Sequence, residues 1–306
     1  MLSNKELRDK YDIDLYTTSS YALLYSYGNN PHSPIVFKHF VHDHNISSEI
    51  KYQIDRKYCS LYIFLTGKFS FMFDNSVYNP SFGDIVLIRN GEKALSCFYQ
   101  NTFVDYYEIN FPMEFFETLG NKNPFYSPFY NRDHGEKNMV KLSTLNCDKM
   151  LQKLKNIENL ATSMDEDLDF LGYSYIIQIM GLVNAQFSKE GSHSLSFKIP
   201  TKLKEAVDYI HLNFTTLISI DEVATHCHIT NTYLSRMFKS FFQCTPNEYL
   251  TNLRISHAKY LLSNGKSITD VCFESGFNNY TYFISKFKQL TGTTPSKFIK
   301  QAKHLF

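Results

Sequence analysis

The sequence predicts an α+β protein in which a β-rich first half is followed by an all-α last third. Three observations predict this class. Short runs of β-branched and aromatic residues recur before residue 110. The spacing of apolar residues becomes helical from Asp148 onward, and a helical pattern occurs twice in the last hundred residues.

The composition is that of a globular protein with a substantial core. The chain has 306 residues, of which 43% are hydrophobic and 20% charged, so a largely disordered chain is excluded. It holds no run of 18 uncharged apolar residues, and charged residues within Met1–Asp14 replace the apolar segment of a signal peptide. The six cysteines form no C-x-x-C pair. We therefore expect a reduced, cytoplasmic protein without a transmembrane segment.

Residues 1–147 are predicted to form a small antiparallel barrel or sandwich. Gly67-Lys68 is a candidate hairpin turn between two aromatic-rich runs, and Asn79–Asp84 is a second turn cluster. The strands expected around these turns are 61–66, 69–73, 85–88 and 102–110.

Residues 148–188 are predicted to form two amphipathic helices separated by the polar segment Thr162–Asp167. An apolar stripe on the second helix can pack on the β-rich region or pair with another subunit. Its members are Leu171, Ile176, Ile179, Met180, Val183 and Phe187. Residues 189–200 are Gly/Ser-rich at their start and are predicted to be a linker.

Residues 201–306 contain an internal repeat. An offset of 49 residues aligns Tyr233-Leu234 with Tyr282-Phe283 and Thr245-Pro246 with Thr294-Pro295. Upstream the offset is 48, because the second copy carries one extra residue in its turn. Each copy has the spacing of a helix-turn-helix. We place the first unit at about 219–243, a linker helix at about 246–262 and the second unit at about 267–291.

The apolar positions of each unit predict which face is left for a partner. In the first unit Val223, Ala224 and Cys227 face inward and Thr230 caps the second helix. In the second unit Gly276 supplies a permissive turn, and Asn278 or Asn279 is the cap. The outward polar residues are Asn231, Thr232, Ser235, Arg236, Lys239, Asn279, Tyr280, Thr281, Ser285 and Lys288.

Charge is distributed unevenly along the chain. Residues 201–306 carry 12 Lys/Arg and 7 Asp/Glu, a net charge of +5, whereas the whole chain carries only +1. A basic segment with two helix-turn-helix units predicts binding to double-stranded DNA. Two helices held by a rigid linker can enter successive major grooves, which repeat about every 34 Å along one face of the duplex.

The last third resembles the DNA-binding domain of the AraC/XylS family of transcription regulators. The resemblance covers residues 201–303, and His228 and Cys272 depart from the family pattern. The segments that carry it are Tyr233-Leu234-Ser235-Arg236-Met237-Phe238-Lys239, Leu253-Arg254-Ile255, Gly276-Phe277-Asn278, Tyr282-Phe283-Ile284-Ser285-Lys286-Phe287-Lys288 and Thr294-Pro295-Ser296.

The resemblance implies roles for several of these residues. Arg254 is implied to be structural rather than a DNA contact. The residues implied to read bases are Thr232, Ser235 and Arg236 in one groove and Tyr280, Thr281 and Ser285 in the next.

The resemblance also implies an organisation for the rest of the chain. Residues 1–147 would be a cupin-like regulatory barrel that binds a small-molecule effector, and 148–188 a dimerisation pair. Phe82-Gly83-Asp84 after Pro80 resembles a cupin turn. The implied protein is a homodimeric regulator, an activator that works with RNA polymerase. The sequence does not identify effector-binding residues.

Two other functions stay open. His39, His42 and His44 lie close together in the sequence and could hold a metal ion, as in a metal-dependent cupin enzyme. The rest of the ligand set is missing, because Ala94-Leu95 occupies the region where a further histidine ligand would fall. We therefore predict no catalytic residues, no metal site and no cofactor. The second alternative is a regulator that needs no ligand and uses the barrel only as a scaffold.

Overall fold

The computed structural model describes residues 17–23, 35–44, 49–53, 58–73, 76–98, 102–112, 115, 125–163, 169–189, 197–263 and 265–303. The described strands form two antiparallel sheets. The strands are β1 (Thr17–Leu23), β2 (Ile35–His44), β3 (Glu49–Gln53), β4 (Tyr58–Thr66), β5 (Phe69–Phe73), β6 (Ser76–Tyr78), β7 (Asp84–Ile88), β8 (Ala94–Phe98), β9 (Thr102–Pro112), β10 (Met139–Lys141) and β11 (Phe197–Lys198). The first sheet has the order β1-β2-β9-β4-β7-β10 and the second the order β11-β6-β5-β8-β3.

Aromatic rings fill the space between the two sheets. Phe40 stacks on Tyr106 with ring centroids 4.7 Å apart in the first sheet. Phe64 of the first sheet meets Phe69 of the second at 4.6 Å, and Tyr62 meets Phe71 at 5.4 Å. Because each ring buries a large apolar area and the pairs lie in favourable geometry, this layer holds the sheets face to face.

The expected cupin-like barrel is not found, since the described strands pair into two open sheets and no closed barrel is present among them. The predicted Gly67-Lys68 turn lies between β4 and β5, but these strands belong to different sheets. The chain crosses over at Gly67, which has φ +119°. Strand β4 is buried on both faces: Leu61 and Ile63 belong to one buried cluster, and Tyr62 and Phe64 to the other.

Helices cover the outer face of the first sheet. These are α1 (Ser127–Tyr130), α2 (Thr144–Ser163) and α3 (Asp169–Lys189). Leu154 and Ile157 of α2, together with Ile179 and Val183 of α3, pack in the same buried cluster as Leu61. The apolar stripe of α3 therefore faces mainly the sheet. Phe170, by contrast, is 80% exposed.

The last third is helical and contains seven helices within the described residues. They are α4 (Thr201–Asn213), α5 (Ile220–His226), α6 (Asn231–Phe242), α7 (Pro246–Ser263), α8 (Ile268–Glu274), α9 (Tyr280–Thr291) and α10 (Pro295–Lys303). Helices α5 and α6 make up the first helix-turn-helix unit, α8 and α9 the second, and α7 is the linker helix. Of the predicted linker 189–200, residues 190–196 lie outside the described residues.

The outer face of the second sheet packs against the first unit. Met72, Val77, Leu95 and Cys97 belong to the same buried cluster as residues of α4, α5, α6 and α7. Strand β11 pairs with β6 just before α4 begins. The second sheet and the helices around the first unit therefore share one hydrophobic cluster. No described helix combines the length and apolar character needed to span a bilayer.

Candidate nucleic-acid interface

Local capping fixes the start of each helix in the first unit. Glu222 accepts a hydrogen bond from the backbone N–H of Ser219 at 3.0 Å, and Thr230 Oγ1 accepts one from the N–H of Tyr233 at 3.2 Å. Each bond satisfies a backbone donor that the helix itself leaves unpaired. Val223 and Ala224 are buried beneath α6, so the two helices meet closely.

The polar residues predicted for α6 lie together on one surface. They line a shallow depression of about 510 Å³ formed by Asn231, Thr232, Ser235, Arg236 and Lys239. Ser235 is half-buried and the other four are exposed. On the opposite side of the helix Leu234 and Phe238 are fully buried. The helix thus presents hydrogen-bonding and cationic groups outward, which are the groups that contact bases and phosphates.

The second unit repeats this design with different side chains. Ser267 accepts from the N–H of Asp270 at 3.2 Å at the start of α8. Asn279 Oδ1 accepts from the N–H of Tyr282 at 2.8 Å at the start of α9. Of the two cap candidates the structure thus uses Asn279. The other predicted residues, Tyr280, Thr281, Ser285 and Lys288, are exposed.

Three residues at this surface lie outside the set of predicted contacts. Tyr233 and Tyr282 are 44% and 49% exposed, and they occupy equivalent positions in α6 and α9. The repeat aligns them, and this signal could have identified them as a matching pair. Asp221 of α5 accepts a hydrogen bond from the Asn231 amide, and no sequence pattern indicates this contact.

Arg254 of the linker helix joins the two units. Its Nε donates to Phe214 O at 2.7 Å and its Nη2 to Leu217 O at 2.6 Å. The guanidinium also lies over the Phe277 ring, 5.9 Å from the centroid. Burial lowers the pKa of Arg254. These contacts match the structural role implied for Arg254.

Gly276 forms the turn of the second unit against the same joint. It has φ +86°, and a Cβ added there would lie 2.7 Å from Thr215 O and 2.8 Å from Arg254 Nε. A side chain at this position would therefore strain the backbone, and it would also overlap two packed neighbours. The equivalent residue in the first unit is His228, with φ +53°.

A partly buried histidine lies where α4 meets the linker helix. His211 Nε2 and Tyr249 Oη of α7 are 2.7 Å apart. Burial is the main cause that lowers the pKa of His211 to about 3, with a smaller contribution from the charge of Lys93. His211 is therefore neutral at physiological pH. Its contact with Tyr249 is a polar interaction between α4 and the linker helix.

Of the histidine cluster in the front half, only His39 has a described side chain. His39 Nε2 lies 2.8 Å from Asp105 Oδ1, and Nδ1 contacts Glu158 of α2. Burial opposes protonation, but the two carboxylates outweigh it and raise the pKa of His39. The side chains of His42 and His44 lie outside the described residues. Across the described part of the chain, no group of three or more His, Cys, Asp or Glu residues is arranged to hold a metal ion.

Comparison with known proteins identifies the helical third. A family model described as a helix-turn-helix domain matches residues 223–301. Over 97 residues the chain is 36% identical to the bifunctional transcriptional activator/DNA repair enzyme AdaA of Bacillus subtilis, covering 31% of this chain and 46% of AdaA. Over 238 residues it is 24% identical to the lactose operon transcription activator of Staphylococcus xylosus, covering 74% of this chain and 78% of that protein.

Solved structures are similar over the same third. A transcriptional regulator with an AraC-type DNA-binding domain from Chromobacterium violaceum is 29% identical, and its TM-score is 0.31. The match covers 33% of this chain and 91% of that one. The chain spans less than half the length of AdaA. Through its C-terminal helix-turn-helix domain, the chain is similar to transcription regulators of the AraC/XylS family, in agreement with the resemblance found in the sequence.

Proposed function

We propose that this protein is a sequence-specific transcription regulator that inserts α6 and α9 into two successive major grooves of one DNA site. The observation that carries the proposal is the pair of capped helices, each with a buried apolar side and an outward polar row, within a segment of net charge +5. The first row comprises Asn231, Thr232, Ser235, Arg236 and Lys239. The second comprises Asn279, Tyr280, Thr281, Ser285 and Lys288.

Hydroxyl-radical footprinting of the full chain on DNA fragments selected from a genomic library tests this proposal. We expect two protected segments on one face of the duplex, about one helical turn apart. Affinity should fall steeply as salt rises, because Lys and Arg displace counterions from phosphates. A single protected segment would contradict the two-groove arrangement, and equal retention of all fragments would contradict sequence specificity.

We propose that the protein activates transcription and that it does so by contacting RNA polymerase in the cytoplasm. The name of the Staphylococcus xylosus relative, a lactose operon transcription activator, supports this direction. A reporter gene placed behind a selected site measures it. Reporter output should rise when the protein is expressed, whereas repression of the reporter would reverse the assignment.

We also propose a homodimer formed through residues 148–188. The support is the apolar surface left on α3 after its stripe has packed on the sheet: Phe170 is 80%, Leu171 40% and Ile177 36% exposed. Sedimentation of the wild-type chain and of Phe170→Ser tests this. The wild type should sediment as a dimer and the variant should dissociate more readily, since apolar burial stabilises such interfaces.

The front region has two candidate roles. The family resemblance supports regulation by a small-molecule effector. A specific observation favours a scaffold without a ligand, because stacked and tilted rings from both sheets fill the described interior. Thermal-shift screening with metabolites distinguishes the two roles, since an effector that binds the folded state raises the melting temperature and a pure scaffold gives no shift.

A further inference from the structure

Asp221 and Asn231 form a hydrogen-bonded pair at the edge of the first polar row. Asn231 is the first residue of α6, and its Nδ2 donates to Asp221 Oδ1 on α5. Both side chains are exposed, and Asn231 lines the depression that also contains Thr232 and Arg236. An ionised carboxylate can only accept hydrogen bonds. The NH₂ group of Asn231 must therefore face Asp221, and this contact fixes the orientation of the amide.

The fixed amide keeps one donor and one acceptor for another partner. Nδ2 carries two hydrogens, so one remains after the bond to Asp221, and Oδ1 is an acceptor. Adenine presents a matching pair in the major groove, the N7 acceptor and the N6 amino donor. Guanine presents two acceptors there, N7 and O6. An amide held in this orientation would direct Oδ1 at the guanine O6, and the two acceptors repel each other.

We propose that Asp221 is a positioning residue that presets the Asn231 amide to read adenine in the groove that α6 enters. The inference rests on the proposed DNA-binding function. Asp221 acts through Asn231 rather than by touching the base.

The second unit lacks this pair. The repeat offsets place Thr269 at the position of Asp221 and Tyr280 at the position of Asn231. The nearest asparagine, Asn279, uses its Oδ1 to cap α9. The adenine preference should therefore appear in only one half of the DNA site, the half read by the first unit.

The test compares base preferences of the full-length chain on a randomised DNA library, read by sequencing of bound fragments. Asp221→Ala and Asn231→Ala should each lower the adenine preference at the same position by about 5- to 100-fold. Asp221→Asn removes the charge but keeps a carbonyl acceptor for Asn231, so it should retain most of the preference. Thr269→Ala is the matched control in the second unit and should leave the base preferences unchanged.

A double variant and a stability measurement separate positioning from a general effect on the fold. Asp221→Ala combined with Asn231→Ala should lose no more preference than either change alone, because both remove one interaction. Asp221→Ala with the wild-type preference overturns the inference, and so does an equal loss of preference in Asp221→Asn. A lower melting temperature with affinity reduced evenly over all sequences also overturns it, since that is a purely structural role. Wild-type protein that binds all sequences alike overturns the proposed function as well, which distinguishes the two failures.

Discussion

The first helix-turn-helix unit shares its core with the second β-sheet, whereas the buried cluster of the second unit consists, among the described residues, of residues from the last third of the chain. Leu95 and Cys97 lie in the same cluster as Leu234 and Phe238 of the first unit. The core of the second unit instead contains Phe283 and Phe287 with residues of α7, α8 and α10. Two copies of one sequence pattern thus have different neighbours. A packing change in the front sheets is therefore expected to act directly on the first unit, and to reach the second through the linker helix and the joint at Gly276.

The joint between the units provides the largest expected effect. Gly276→Ala should lower the free energy of unfolding by about 3–5 kcal/mol, because it adds backbone strain and overpacking against Thr215 O and Arg254. Urea denaturation measures this. His228→Ala at the equivalent position of the first unit is the control and should change stability by less than about 1 kcal/mol, since His228 already has a Cβ at positive φ. Equal losses in the two variants would remove the difference between the turns.

Leu95→Ala tests the shared core directly. Leu95 is 3% exposed in β8, and its truncation should cost about 2–4 kcal/mol through lost burial and a residual cavity. Amide hydrogen exchange should become faster in α4 to α6 and stay unchanged in α8 and α9. Leu262→Ala in the second core should give the reverse pattern. Faster exchange in all helices with Leu95→Ala would show that the two units are one cooperative body.

Measurements of DNA binding should distinguish a residue that reads bases from a residue that contacts phosphates. Arg236→Ala should weaken specific binding by about 1–3 kcal/mol and relax discrimination at one base pair, while binding to random DNA changes little. Lys288→Ala in α9 should weaken binding to all sequences and reduce the salt slope by about one unit. Fluorescence anisotropy at several salt concentrations measures both. If Arg236→Ala weakens specific and random DNA equally, Arg236 is a phosphate contact.

Mild acid should destabilise the contact between α4 and the linker helix α7. The pKa of His211 is about 3 in the folded protein, against 6.5 for an unperturbed histidine, so the unfolded chain binds more protons between these values. Stability from this group is complete above pH 6.5 and decreases as pH falls, by about 1 kcal/mol between pH 6.5 and 5.5. Urea melts of wild type and His211→Gln measure this loss: the stability of the variant relative to the wild type should rise as pH falls below 6.5, because only the wild type carries the titrating group. Parallel pH profiles would contradict the burial of His211.

Local patterns predict much of the interface but not its surroundings. Thr230 and one of Asn278 or Asn279 are predictable as caps, because a cap depends on residues only three apart in sequence. The outward position of Arg236 and Lys239 likewise follows from helical spacing. Asp221 escapes prediction because its bond to Asn231 spans a turn whose geometry no periodicity describes.

The sequence by itself determined the two helix-turn-helix units, their order and their polar rows, since each depends on short-range spacing repeated along the chain. Only the tertiary structure decided that Arg254 joins Phe214 to the turn at Phe277, that the β-rich half forms two open sheets, and that one sheet packs on the first unit. These features depend on apolar surfaces and hydrogen-bonding groups brought together from residues far apart in sequence. Their pairing depends on shape and burial in the folded chain, which a linear pattern does not record.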